Sequence, residues 1–202
     1  MTVTVHILIL AAGASSRMRG IDKLVEKIGR HPLLGHVARI ALATGAPVTV
    51  TLPPDAPDRR KALAGLALHL VEVPDAAMGM SRSLVCGIAE ISPCAGPEDG
   101  LMILPADMPG FSTAALADLI SRFRAEPDLI FRGGTVDGQP GHPAIFPRDL
   151  WPALEQVSGD EGGRSVLRQN QGRVRVIPLP GPMAILDLDT PEDWAAWRAG
   201  EP

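Results

Sequence analysis

Two turns in the first half of the sequence contain charged side chains that could act on a phosphate group. The first turn follows the apolar segment 3–10 and reads Ala-Ala-Gly-Ala-Ser-Ser-Arg-Met over residues 11–18, with Lys23 six positions beyond Arg17. Small residues let the backbone approach a ligand closely, and Arg17 and Lys23 would offer two cations to a triphosphate. The spacing matches neither a Walker A loop nor a dinucleotide-binding fingerprint. A small-residue turn with two solvated charges explains these residues equally well.

The second turn contains a carboxylate. Asp107 follows the apolar run 101–104 and lies between Pro105 and Pro109. Carboxylate oxygens bind divalent cations, and a cation held at this point would lie beside bound phosphates. An ordinary aspartate in a proline-bounded turn would give the same pattern, but its coincidence with the basic turn favours the cation site.

Two more aspartates precede a predicted helix near the end of the sequence. Thr190 as N-cap, Pro191 at the first helical position and an acid at the third are typical of a helix start and need no functional explanation. That explanation does not cover Asp187 and Asp189. Either of them could complete a cation site with Asp107.

Two other segments could contact a substrate. Ser81 lies at a predicted helix N-terminus, where free N–H groups can bind an anion, although a simple cap would look the same. His142 lies between Gly141 and Pro143 rather than on an apolar face, so it is a candidate contact or a turn histidine. The Gly-rich segment 158–164 contains a further acid, Asp160.

These residues must be positioned by strands and helices that alternate along the chain. Apolar runs predict strands at 3–10, 48–52, 66–73, 101–104, 129–131, 144–146, 174–179 and 184–188. Helical spacing predicts helices near 32–41, 58–64, 81–91, 112–125, 149–157, 163–169 and 192–198, with a Gly/Pro-rich loop at 133–143. This alternation implies a mostly parallel sheet covered on both faces, in which ligands bind beyond the carboxyl ends of the strands.

Composition restricts the classes of function. The 202 residues, 46% of them hydrophobic, predict one domain with a full core. A net charge of −4 without any cluster of four basic residues argues against nucleic acid as a partner. The two cysteines, eight positions apart, predict neither a disulfide framework nor a zinc site. Without a basic region before the first apolar run or a long apolar segment, we expect a cytoplasmic protein with no membrane anchor.

Taken together, the motifs resemble the nucleotidyltransferase family that includes molybdenum cofactor cytidylyltransferases and related guanylyltransferases. The matching segments follow the family's order along nearly the whole chain: 10–13 with 16–18 and 23–24, 79–84, 105–109, 141–143, 159–160 and 187–193. The Ala-Ala-Gly opening and the Pro-Ala-Asp-Met-Pro segment are similar to the branch that uses CTP rather than GTP. Arg19 is a departure, because relatives often run directly from Met to Gly.

The resemblance implies a three-layer Rossmann-like nucleotidyltransferase fold over 1–202, with a nucleotide-binding half at about 1–110 and an acceptor-binding half at about 111–202. It implies transfer of CMP from CTP to the phosphate of molybdenum-molybdopterin, with Mg²⁺ as cofactor and release of pyrophosphate. The acceptor phosphate is already ionised at neutral pH, so catalysis reduces to positioning and charge neutralisation. A recipient molybdoenzyme or its chaperone is the implied protein partner.

The resemblance also implies roles for individual residues. The catalytic residues would be Arg17, Lys23 and Asp107, and the metal ligands Asp107 with Asp189 or Asp187. The nucleotide would be contacted by Leu10, Ala11, Ala12, Gly13, Arg17, Lys23, Thr51, Asp75 and Ser81, and the acceptor by His142 and Asp160. Two alternatives stay open: a nucleotidyltransferase of guanylyl or sugar-phosphate type, and a non-catalytic accessory protein that binds molybdopterin.

Overall fold

A seven-stranded sheet extends through both halves of the chain. The computed structural model describes residues 3–159 and 161–200, apart from the side chain of Ser16. The strands in chain order are β1 (Val5–Leu10), β2 (Lys27–Ile28), β3 (His31–Pro32), β4 (Val48–Leu52), β5 (His69–Glu72), β6 (Gly100–Pro105), β7 (Ile130–Gly134), β8 (Pro140–Pro147) and β9 (Val174–Pro178). The sheet order is β5-β4-β1-β6-β8-β7-β9, while β2 and β3 form a separate antiparallel ribbon.

In the described part of the chain, seven α-helices connect or flank these strands. They are α1 (Leu33–Leu42), α2 (Pro57–Ala62), α3 (Met80–Ile91), α4 (Thr113–Ala125), α5 (Trp151–Leu154), α6 (Arg164–Gln169) and α7 (Pro191–Ala199). Within 3–159 and 161–200, none of the helices has both the length and the apolar character that crossing a membrane requires.

The strand directions bring several turns to one edge of the sheet. Four of the six pairings in the large sheet are parallel, and only β8 runs antiparallel to its neighbours β6 and β7. In the central register Leu10 of β1 lies opposite Thr51 of β4 and Pro105 of β6. The predicted mostly parallel α/β sheet is therefore confirmed, and the turns after β1 and β6 lie side by side.

Helices cover both faces of the sheet, as the alternation of buried residues along β1 shows. Ile7 and Ile9 belong to a core cluster with residues of α1 and α4, whereas Leu8 belongs to a second cluster with residues of α3 and α5. Successive side chains of a strand point to opposite faces, so a strand that is apolar throughout is covered on both sides. This arrangement gives the three layers expected of a Rossmann-like fold.

Two predicted elements differ in type from the structure. The segment 184–188 is not a strand: the N–H groups of Ile185 and Leu186 both donate to the carbonyl of Pro182 at 2.9 Å and form turns. Its apolar spacing reflects burial, because Ala184 and Leu188 have no exposed surface. The predicted loop 133–143 is largely a hairpin, with β7 and β8 joined by 135–139.

The glycines of this hairpin region allow close packing. A Cβ on Gly141 would lie 2.0 Å from the carbonyl oxygen of Ala184, because β8 passes directly against the turns at 182–186. A methyl group would therefore force the backbone of two segments apart.

We expect the substitution Gly141→Ala to lower the free energy of unfolding by about 3 kcal/mol, as overpacking does in a rigid core. Gly172→Ala is the control, since a Cβ there meets no heavy atom within 4 Å. Urea unfolding followed by circular dichroism measures both. Equal stability of the two variants would contradict the close packing of β8 on this segment.

Candidate active site

A cavity of about 950 Å³ opens at the edge of the sheet where β1 and β6 end. Its walls are formed by the turns that follow these strands, by β8, by the start of α3, and by the segments 161–167 and 184–189. The volume is that of a cleft for a nucleotide-sized ligand. The location agrees with the rule that ligands bind beyond the carboxyl ends of the strands.

Nine of the residues proposed from the sequence line this cavity: Leu10, Ala12, Gly13, Arg17, Lys23, Asp107, His142, Asp187 and Asp189. The structure thus brings together residues from both ends of the chain. Asp160, also proposed from the sequence, lies outside the described residues.

Four of these side chains form a charged cluster. The ammonium of Lys23 donates to Asp107 Oδ2 at 2.6 Å and also to Asp189 Oδ1. The guanidinium of Arg17 donates to the other oxygen of Asp189. The Lys23 side chain is only 12% exposed. Asp189, rather than Asp187, is therefore the partner of Asp107, while the exposed Asp187 lines the cavity beside them.

The start of α7 positions Asp189. The carboxylate of Asp193 accepts hydrogen bonds from the N–H groups of Asp189 at 3.0 Å and Thr190 at 2.7 Å, and the Thr190 hydroxyl accepts from the Asp193 N–H. This capping box is the one that the sequence predicts. The N–H of Leu188 donates to the main-chain carbonyl of Asp107, which links the cap directly to the turn after β6.

An ion pair that sequence reasoning missed holds the first turn. Arg59 of α2 is 5% exposed, and it donates to Asp22 through Nε at 2.6 Å and to the carbonyl of Ala11 through Nη1 at 2.7 Å. Asp22 also accepts from the Ser15 hydroxyl and from the Leu24 N–H. The turn before Lys23 and the residue after it are thus fixed to α2. Arg59 is one of three consecutive basic residues that look solvated in the sequence, and no spacing distinguishes it.

Thr51 corrects one prediction. Instead of facing a ligand, it has no exposed surface, and its hydroxyl donates to the Ile9 carbonyl at 3.3 Å. The Ala11 N–H donates to the Thr51 carbonyl at 3.1 Å, and Ala11 itself is buried. Both residues support the turn after β1 from beneath rather than lining the cavity.

Asp75 and Ser81 also differ from expectation. The Asp75 carboxylate lies 2.6 Å from Nε of Arg82, and Asp75 is not one of the residues that line the cavity. Ser81 is 1% exposed, and its N–H donates to the carbonyl of Gly159. Ser83, two positions further along α3, lines the cavity instead.

His142 of β8 lines the same cavity. Burial, followed by the positive charge of Arg132, lowers the pKa of His142 from 6.5 to about 4, although the negative charge of Asp107 acts in the other direction. Its main-chain N–H donates to the Ala184 carbonyl at 2.7 Å, and its Nδ1 is buried without a partner among the described residues. Two cavity arginines, Arg132 and Arg164, were not identified from the sequence.

The two aspartates fit a divalent cation that arrives with a ligand. Asp107 and Asp189 each place one carboxylate oxygen against the same ammonium, so the two oxygens converge on one point. In the described part of the chain, no group of three or more His, Cys, Asp or Glu side chains is arranged to hold a metal. Mg²⁺ in phosphate-binding enzymes often uses one or two carboxylates and completes its shell with substrate phosphates and water.

Comparisons with known proteins show what this chain is similar to. Residues 7–174 match the family described as MobA-like NTP transferase domain. The chain is 30% identical over 199 residues to purine catabolism protein PucB of Bacillus subtilis, covering 92% of this chain and 91% of PucB.

Solved structures show the same fold. Rv0371c from Mycobacterium tuberculosis H37Rv superposes with a TM-score of 0.83 at 29% sequence identity, covering 96% of this chain and 97% of that one. A structure of Rv0371c in complex with manganese superposes with a TM-score of 0.78 at 26% identity and the same coverage.

Breaking the Asp22–Arg59 pair is expected to destabilise the protein. Arg59→Met would leave Asp22 without its buried partner, and such a loss costs about 3 kcal/mol. Arg60→Met on the same helix is the matched control, because its pair with Glu72 is exposed and should be worth less than about 1 kcal/mol. Urea unfolding distinguishes the two. An Arg59→Met variant as stable as Arg60→Met would mean that the pair does not hold the turn.

The charge state of His142 can be measured directly. Because burial and Arg132 disfavour the imidazolium, we expect its ring resonances to titrate with a midpoint of about 4 in an NMR pH series. The unfolded chain takes up this proton first, so His142 reduces the free energy of unfolding as the pH falls from 6.5 towards 4. A midpoint near 6.5 would show that the ring is solvated and not held in the wall.

Proposed function

The chain belongs to the family of MobA-like NTP transferase domains, and from this premise we propose that it transfers CMP from CTP to the phosphate of molybdenum-molybdopterin and releases pyrophosphate. The observation that supports this most directly is the meeting of Arg17 and Lys23 with Asp107 and Asp189 at one end of the cavity. Two cations beside two carboxylates are the groups that a metal-bound triphosphate requires.

In the proposed reaction an oxygen of the acceptor phosphate attacks the α-phosphorus of CTP. The bond from this phosphorus to the bridging oxygen breaks, and the electron pair leaves with pyrophosphate. Arg17 and Lys23 would neutralise the charge that develops on the α-phosphate and on the leaving group. The attacking oxygen is already ionised, so no residue has to remove a proton, and the neutral His142 can line the acceptor wall without acting as a base.

Nucleotide binding would exchange the partners within the charged cluster. In the free protein Lys23 and Arg17 neutralise the carboxylates of Asp107 and Asp189. On binding, triphosphate oxygens would become the partners of the two cations. Asp107 and Asp189 would then hold Mg²⁺, which supplies further neutralisation of the phosphates. The manganese complex of Rv0371c supports a divalent cation in this fold.

The remaining assignments follow the two sides of the cavity. Leu10, Ala12 and Gly13 would contact the nucleotide through the backbone of the turn, and a Cβ at Gly13 meets no atom within 4 Å, which leaves room for a ligand. The Ala-Ala-Gly opening supports CTP as donor. The part from about 111 to 202, which contains His142 and Asp160, would bind the acceptor. The product would then pass to a recipient molybdoenzyme or its chaperone.

A transfer assay tests this proposal. The protein is incubated with Mg²⁺, CTP or GTP, and molybdenum-molybdopterin, and pyrophosphate and the dinucleotide product are quantified. We expect product with CTP, and a decrease in kcat/KM of about 100-fold or more for Lys23→Met and Asp107→Asn, since each removes charge stabilisation of the transition state. Lys61→Met, on the exposed surface of α2, is the control and should retain full activity.

The outcomes separate the alternatives. Equal or better use of GTP, or turnover only with a sugar phosphate, would replace the cytidylyl assignment. Binding of molybdopterin without pyrophosphate release from either nucleotide would identify an accessory protein. Near-normal turnover of Lys23→Met, with an intact thermal transition by circular dichroism, would mean that the charged cluster is not the catalytic site.

A further inference from the structure

The cationic side chains that line the cavity fall into two groups. Arg17 and Lys23 pair with carboxylates on the side of β1. Arg132 of β7 and Arg164 of α6 lie on the other side, and neither has a carboxylate of the described residues within ion-pair distance. Glu161, the nearest acid in sequence to Arg164, pairs with Arg168. Among the described residues, these two positive charges therefore have no counter-ion on this wall.

Arg132 is held in an orientation suited to an anion. Its Nε and Nη2 both donate to the carbonyl of Gly141, at 3.1 and 2.9 Å, so one edge of the guanidinium is fixed to β8. Nη1 has no hydrogen-bond partner among residues 3–159 and 161–200, so Nη1 and the second N–H of Nη2 are left for a ligand. A guanidinium edge with two parallel N–H groups matches two oxygens of a phosphate.

Arg164 lies close enough to Arg132 for the two positive charges to interact. Burial, and then the charge of Arg164, lowers the pKa of Arg132. Both arginines also lower the pKa of His142. Like charges repel one another in a partly buried wall, and an anion bound between them would relieve that repulsion. His142 lies at the same wall as a neutral group, so it adds hydrogen-bonding capacity without a third charge.

We propose that Arg132 and Arg164 form an anion subsite that binds the phosphate group of the acceptor. This inference rests on the proposed function and names the residues that would make the enzyme select a phosphorylated acceptor. The triphosphate is a less suitable occupant. The strands β1 and β7 are separated by β6 and β8, which puts their axes about 14 Å apart at the usual strand spacing. Asp107 and His142 lie between the two groups of cations, where the reacting phosphates would meet.

Phosphate binding can be measured without the reaction. Inorganic phosphate is titrated into the protein without nucleotide and followed by ³¹P NMR, and CTP with Mg²⁺ is titrated separately by calorimetry. We expect Arg132→Met and Arg164→Met each to raise the phosphate Kd about 10-fold or more, and the double variant to abolish binding at this subsite. The CTP Kd should change by less than about 2-fold. Arg168→Met, an exposed arginine of the same helix, should leave both unchanged.

A conservative variant addresses folding. Arg132→Lys keeps the positive charge but loses the paired N–H groups of the guanidinium. We therefore expect a phosphate Kd between those of the unmodified protein and Arg132→Met, with an unchanged thermal transition. In the transfer assay the arginine variants should raise KM for the acceptor and leave KM for CTP unaltered.

Three results would overturn the subsite. The first is a folded double variant that binds phosphate as tightly as the unmodified protein. The second is a loss of CTP affinity as large as the loss of phosphate affinity. The third is a rise in the KM for CTP instead of the KM for the acceptor. Failure of the proposed function looks different, because phosphate binding would then depend on the arginines while no nucleotide is transferred.

Discussion

A single ammonium group held between two carboxylates is the interaction on which the arrangement of this cavity depends. Lys23 contacts Asp107, in the turn that follows β6, and Asp189, in the turn that precedes α7. The three side chains are each less than a quarter exposed. An unpaired charge in such a place would be unfavourable, so each group requires the others. The hydrogen bonds of Arg59 to Asp22 and Ala11, and of Asp193 to the residues before α7, fix the backbone at the two ends of this contact.

The same interaction explains how a mildly acidic chain can have a site for phosphates. A basic patch is absent from a sequence with a net charge of −4, and such a patch is needed for polymers that present many phosphates. In this cavity the carboxylates of Asp107 and Asp189 neutralise Arg17 and Lys23. A bound nucleotide would replace these carboxylates as the partner of the two cations, and a metal ion would replace the two cations as the partner of the carboxylates. The arginines near β8 are the only cavity cations of the described residues whose charge is not balanced in this way.

Much of the fold can be predicted from sequence patterns that involve only residues close together in the chain. The buried strand at 48–52 has the predicted bounds, and Ser112 and Thr190 cap their helices as expected. Local patterns also singled out Arg17, Lys23 and Asp107, with Asp187 or Asp189, as candidates, and the structure brings Arg17, Lys23, Asp107 and Asp189 into contact. They could not show that Asp189 rather than Asp187 joins Asp107, because that depends on the direction in which the last turn packs. The role of Arg59 and the burial of Thr51 could not be predicted for the same reason: their partners, Asp22 and Ile9, lie far away in sequence, and polarity alone does not distinguish a buried polar side chain from a solvated one.

The cap of α7 also links the cavity to the order in which the chain is synthesised. Asp189 follows Lys23 by 166 residues, so it leaves the ribosome roughly 8 to 30 s later at typical rates of translation. During that interval β1 and β6 can already pair, and Lys23 can contact Asp107. The second carboxylate takes its place only after Asp193 has emerged and the cap has closed. A nascent chain therefore possesses the basic turn well before it possesses the pair of aspartates that would receive the metal.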